Sequence, residues 1–508
     1  MHNKKQFLIA FLYPEARRMG NIHMKTSGFF HTMLLAVMVL TSGCQTNRQY
    51  TDKAHGARPN ILYIMIDDLG WMDIACQGAT EYHTPNLDRL ANQGMRFTDA
   101  YAAAPVCSPT RAAAMTGLAP ARLRITNHIP DQWRFYEGRS LGPGESINQL
   151  APSYTTIAER LKDAGYATAF IGKWHLAGTE WSDENRIYLP ENQGFDLNVG
   201  GNHKGGPGGD GSFFDPYDLP NLEGRKPGQY LPDRLAEEAV DFMKEQKAAG
   251  KPFFVCLWNY TVHWPVEAPD DLYKKYATGE PNLHQKYQAM VEGMDRAVGN
   301  VLAEMDAMGV SDETLVVFTS DNGPFTGDIP DEITNTRPLK GAKGYLSEGG
   351  IRVPLIIRWP GQVKPDTLCN EPVVTMDFVP TFLDAVGVDY LSADFDGESL
   401  LPLLTQTGAP VRDAIYFHYP HYAFHQDNRM GSIIRSGDYK LINLHKTGDL
   451  ELYNLAADLG EATNLATTRP KIANRLNAQL ENWLIETTAA MPRRIEDIPE
   501  DELYGRRN

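Results

Sequence analysis

Cysteine is scarce in this chain, with five residues in 508: Cys44, Cys76, Cys107, Cys256 and Cys369. No two of them form a C-x-x-C pair, which argues against a thiolate zinc site. Five are also too few to staple a chain this large with a disulfide framework. Cys76, Cys256 and Cys369 read most simply as small buried hydrophobes. Positive charge is in short supply as well: 48 Lys and Arg stand against 64 Asp and Glu, a net charge of −16. Such a surface repels polyanions, so no nucleic-acid partner is expected, and an anionic substrate would need positive charge gathered locally. Beyond the N-terminal region no apolar run is long enough to span a bilayer, and no internal repeat is visible. What is present, 42% hydrophobic and 22% charged residues, describes an ordinary folded protein with room for a large core and more than one domain.

The one long apolar run lies in MKTSGFFHTMLLAVMVLTSGC, Met24 to Cys44. A short basic start, an apolar stretch and small residues before a cysteine read as a secretory signal, with Met24 as the true start and residues 1–43 as signal and upstream segment. Thr41-Ser42-Gly43-Cys44 resembles a bacterial lipoprotein cleavage site, although Thr41 stands where leucine is usual. We therefore expect lipidation at Cys44, a polar tether over residues 44–58, and an exported protein. It would be periplasmic or anchored to the outer membrane, touching the membrane through that anchor alone.

From residue 59 strand and helix patterns alternate. ILYIMIDDLG (61–70), ATAFIGKWHL (167–176), PFFVCLWNYTVHWP (252–265) and TLVVFTSDNG (314–323) each begin with a continuous apolar run, as strands buried on both faces do. TTIAERLKDAG and the stretch from Leu283 to Met308 supply helices between them. The alternation predicts a doubly wound α/β domain over residues 59–405. After about Leu404 the pattern changes: YKLINLHKTGDLELYNL alternates apolar and polar residues, which predicts antiparallel strands. Residues 410–508 then form a smaller α+β subdomain ending in a helix over 471–488.

Open α/β sheets bind ligands at the carboxyl ends of their strands. There the four strands carry Asp67 and Asp68, Lys173 and His175, His263, and Asp321 with Asn322. Each acidic pair alone is explained as well by helix caps and turns. Together they make a set of hard oxygen donors, suited to Ca2+ or Mg2+. Arg111 stands near the start of an alanine-rich helix whose first turn accommodates Pro109, and Lys343 lies in a glycine-rich turn. A metal with Lys, Arg and His around one point suits transfer of a tetrahedral oxyanion. Cys107 has no cysteine partner in prospect, and a bare catalytic thiol is vulnerable in an oxidising compartment.

CSPTRAAAMTG (107–117) resembles the signature of the sulfatase family, in which this cysteine becomes Cα-formylglycine. DDLGW (67–71), GKWHL (172–176), SDNG (320–323), GAKGYLSEGGIRVP (341–354) and ELYNLAADLGEATNLA (451–466) resemble further family blocks in the expected order, so the likeness spans residues 59–465. It implies an alkaline-phosphatase-like fold, a large mixed, mostly parallel sheet with a smaller antiparallel one, and hydrolysis of sulfate esters. It implies one Ca2+ held by Asp67, Asp68, Asp321, Asn322 and the modified Cys107. Arg111 would steady the aldehyde hydrate, and Lys173, His175, His263 and Lys343 would bind sulfate and move protons. One hydroxyl of the hydrate attacks sulfur, His263 with Lys343 nearby protonates the departing oxygen, and His175 takes the proton that lets sulfate leave. The implied partners are a sulfated oligosaccharide and a formylglycine-generating or anaerobic sulfatase-maturing enzyme. Candidate substrate contacts are His203 and Lys204 in the glycine-rich segment 200–217, and His421 and Arg435 in and beyond YFHYPHYAFH. That second segment reads equally well as a hydrophobic strand between domains. Two other readings stay open: a phosphonate monoester hydrolase or phosphodiesterase of the same superfamily, and a glycan-binding lipoprotein without activity.

Overall fold

The run Asn60–Ile66 is buried at every residue and forms the strand β1 of a large sheet. A computed structural model describes residues 58–130, 138–207, 212–326, 333–422 and 429–499. Following β1 in the chain come β2 (Met95–Phe97), β3 (Ala167–Gly172), β4 (Leu197–Val199), β5 (Phe253–Asn259), β6 (Thr314–Ser320), β7 (Leu355–Arg358) and β8 (Thr367–Cys369). They assemble in the order β8-β2-β7-β6-β1-β5-β3-β4. The strands from β6 to β4 pair in parallel, and β7 runs antiparallel to both of its neighbours.

Strand β1 shows why its run is apolar throughout. Leu62, Ile64 and Ile66 enter one core cluster, whereas Ile61, Tyr63 and Met65 enter another, so the two faces are covered separately. The first cluster holds the helices Leu231–Ala249 and Leu283–Met308. The second takes Ala112, Ala114 and Met115 from a helix opened by Cys107, α1 (Cys107–Thr116), which is buried at every residue. Alanine lets α1 approach the sheet closely. Gly117, with φ 72°, ends it in a left-handed turn that favours glycine.

A second sheet of four antiparallel strands follows: β9 (Ile415–Tyr419), β10 (Gly431–Ser436), β11 (Tyr439–Leu444) and β12 (Leu450–Asn454). One face packs Ile434, Leu441 and Leu452 against the terminal helix Pro470–Glu486. The other packs Phe417, Ile433 and Ile442 against Tyr101, Ala113 and Ile351. Buried ions join the sheets: Lys440 reaches Glu348 and Glu461, each at 2.9 Å, and Arg352 holds Glu348 at 2.7 Å. The boundary read at residues 405–410 falls between the last strand of the first sheet and β9. No described helix is long and apolar enough to cross a membrane. Cys44, the signal segment and the tether up to residue 57 lie outside the described residues.

Candidate active site

Strands β1 and β6 are neighbours in register, Ile66 beside Ser320, so their polar ends meet by construction. Asp67, Asp68 and Asp321 each offer an oxygen within 4.8 Å of the others, and all three are buried. Three ionised carboxylates at that spacing require counter-charge. Lys173 donates to both oxygens of Asp67 at 2.7 and 2.8 Å. Lys343 reaches Asp68 at 2.6 Å, and Arg111 binds Asp321 through two nitrogens at 2.6 and 2.9 Å. Burial pushes the Asp67 carboxyl well up against the pull of Lys173. Burial also opposes charge on Asp68, yet Lys343, His263 and Lys173 hold its carboxyl below the usual range.

Asn322 donates its amide to Asp68 Oδ1 at 2.8 Å, while its own Oδ1 is buried with no hydrogen-bond partner. An orphaned buried oxygen costs about 1–3 kcal/mol. Beside three carboxylate ligands, a hard divalent cation is the partner it fits. The residues present therefore suit a metal of the Ca2+ or Mg2+ class.

Cys107 opens helix α1 and feels the charges of Lys173, Lys343, Asp321 and Asp67. Burial nonetheless raises its thiol above the ordinary value, so an unmodified Cys107 is protonated and a poor nucleophile. His175 Nδ1 stands 3.3 Å from its Sγ. The other ring nitrogen, Nε2, bonds the Ile129 carbonyl, which can only accept, so Nε2 carries the proton and Nδ1 turns a lone pair toward position 107. Burial, reinforced by Lys173, keeps this imidazole neutral. By the same logic His263 Nδ1 donates to the Trp264 carbonyl at 2.7 Å, leaving Nε2 3.9 Å from Asp68. Burial, and then Lys343, lowers His263 to about 3. Both Asp68 (φ 60°) and His175 (φ 58°) adopt left-handed backbone, a strain commonly found where side chains must be aimed.

The glycine-rich segment lies across this cluster. A β-carbon placed on Gly205 would sit 2.6 Å from His175 Cε1, and one on Gly206 3.2 Å from His263 Nδ1. At Gly205 glycine lets the backbone press against the His175 imidazole, whereas at Gly206 a β-carbon would need His263 to give by only a few tenths of an ångström.

The remaining substrate candidates are placed differently. His203 is half-buried, its ring 6.3 Å from that of Trp181. Lys204 is taken by Asp218 at 2.8 Å. His421 is buried and bonds Thr126 Oγ1 at 2.8 Å, bracing the loop whose Ile129 carbonyl holds His175. The expectation of a substrate contact is not met at Arg435: it sits in β10, buried, bonded to Tyr101 and to Asp99 at 2.6 Å, because β9 and β10 are strands between layers rather than rim. Sequence reasoning missed Trp258, whose ring lies 5.4 Å from the Arg111 guanidinium, and the Lys173 carbonyl that accepts from Arg111 at 2.6 Å. Neither carries a sequence signal, since both follow from pairing of β3 with β5.

A family model described as Sulfatase matches residues 59–388, well over half of the chain. The chain belongs to the sulfatase family. A second model, N-sulphoglucosamine sulphohydrolase, C-terminal, matches residues 342–489. Among curated relatives, a Sulfatase of Formosa agariphila is 31% identical across 86% of this chain and 91% of its own. Arylsulfatase A of Homo sapiens is 32% identical across 75% and 74%. The solved structure of Ps i-CgsB in complex with k-i-k-neocarrahexaose superimposes with a TM-score of 0.72 at 27% identity, covering 84% of this chain and 92% of that one. The phosphonate monoester hydrolase of Agrobacterium radiobacter shares the fold, with a TM-score of 0.60 at 20% identity over 87% and 99%. This sulfatase is thus a sulfuric ester hydrolase of alkaline-phosphatase-like architecture.

Proposed function

We propose that this sulfatase removes sulfate from carbohydrate, using a Cα-formylglycine made from Cys107 and a Ca2+ held by Asp67, Asp68, Asp321 and Asn322. The observation that carries the reading is the placing of position 107. It heads a fully buried helix, 3.3 Å from the lone pair of a neutral imidazole and under the charges of the acid and lysine cluster. Ca2+ at these oxygens would offset their charge and favour an oxyanion at position 107. The aldehyde hydrate would supply both the attacking oxygen and, through its second hydroxyl, a route for sulfate to leave.

The chain's own residues do the rest. Lys173 and Lys343 bind the sulfate oxygens. The departing sugar oxygen takes a proton from the Lys343–His263 pair, of which Lys343 already carries one because Asp68 raises it against burial. His175 Nδ1 accepts the proton released at position 107, and Arg111 orients that side of the cluster. A carbohydrate substrate is favoured by the neocarrahexaose complex of Ps i-CgsB. Export, lipidation of Cys44 and a separate maturing enzyme complete the proposal and rest on the sequence alone.

The test is release of sulfate from a panel of defined sulfated oligosaccharides, with the phosphate ester of the same alcohol as comparison. Cys107→Ala should lower turnover by about 10⁴-fold or more while leaving the circular dichroism spectrum intact. Near-normal turnover by that variant would remove the mechanism. A preference for the phosphate ester would favour the phosphodiesterase reading.

A further inference from the structure

The sulfate-binding residues grip the ester group, so the sugar must be read by side chains beyond them. Two tryptophans are exposed among the described residues: Trp181 at 38% and Trp264 at 51%. Exposed indoles forfeit a large burial gain, and two of them beside one site point to a partner. Both flank the loop of Gly205 and Gly206. Trp264 follows His263 directly, its carbonyl holding the imidazole at 2.7 Å and lying 3.8 Å from a β-carbon placed on Gly206. At the loop's other end His203 sets its ring 6.3 Å from Trp181 at 38°, and the Arg186 guanidinium lies 5.6 Å from the same indole. Arg186, tied to Asp183 at 3.0 Å, backs one face of this indole, so a sugar would stack on the opposite face.

We propose that Trp264 and Trp181 form a stacking wall for pyranose rings, Trp264 against the sulfated sugar and Trp181 against its neighbour, and that this wall sets the preference for oligosaccharide over simple esters. The cations expected to read the sugar are spent elsewhere, Lys204 on Asp218 and Arg435 on Asp99. Apolar ring faces, not further charge, then distinguish the substrate. The inference rests on the carbohydrate reading above.

The experiment measures kcat and KM of Trp181→Ala, Trp264→Ala and the two Trp→Phe variants on a sulfated oligosaccharide and on 4-nitrophenyl sulfate, with thermal melting as the folding control. The ratio of kcat/KM for oligosaccharide over aryl ester should fall on the order of tenfold in each alanine variant, mainly through KM, and phenylalanine should restore most of it. An unchanged ratio, or an equal loss on both substrates, overturns the wall while sparing the carbohydrate reading. A wild-type enzyme that cleaves the aryl ester and no sulfated saccharide overturns that reading and the wall with it.

Discussion

Asn322 is the residue on which the metal assignment can be tested without activity. Its Oδ1 lacks a partner in a pocket of carboxylates, and a bound cation would satisfy it. Ca2+ should raise the melting temperature of the wild-type protein, since a ligand at 100 times its Kd stabilises by about 2.7 kcal/mol. In Asn322→Ala the same titration should shift to higher Ca2+ by about tenfold or more. An identical titration in the variant would count against Asn322 as a ligand. At this scale the sequence was legible where an apolar run ends in polar residues: Asp67, Lys173 and Asp321 directly follow buried strands and converge, whereas His263 reaches the site from a turn beyond Asn259, the last residue of β5. Arg435 was not legible, because a strand sequence does not say which buried acid its side chain will meet.

The elements carry the site by register and by ion pairs between layers. Glu348 begins a short helical turn, Glu348–Ile351, five residues after Lys343, and is clamped by Arg352 and by Lys440 of the second sheet. Replacing Lys440 by methionine leaves Glu348 and Glu461 short of a buried partner and should cost about 3 kcal/mol or more, read as a lowered urea midpoint. An unchanged midpoint would mean that packing alone joins the sheets. The long strands, six or seven residues each, were readable from their largely apolar runs. The three-residue strands β2, β4 and β8 were not, because so short a segment shows no period, and the reversed direction of β7 leaves no mark in composition.

Over the whole molecule, the net charge of −16 is offset at one place, where Arg111, Lys173 and Lys343 converge from distant parts of the chain. That convergence also constrains maturation. Cys107 is 2% exposed in a helix buried throughout, so the folded protein offers an enzyme no access to its thiol. The conversion proposed above would then have to come before folding, and a maturing enzyme added to folded protein should leave position 107 unchanged. The order of the rim residues along the chain was visible in the sequence, whereas their common depth depends on eight strands and two sheets closing around them. The most direct measurement is the mass of the peptide containing position 107, from active protein produced together with a maturing enzyme. The account predicts a residue that has lost its sulfur and gained an aldehyde that hydrazides trap. A fully active preparation carrying an intact Cys107 thiol would contradict it.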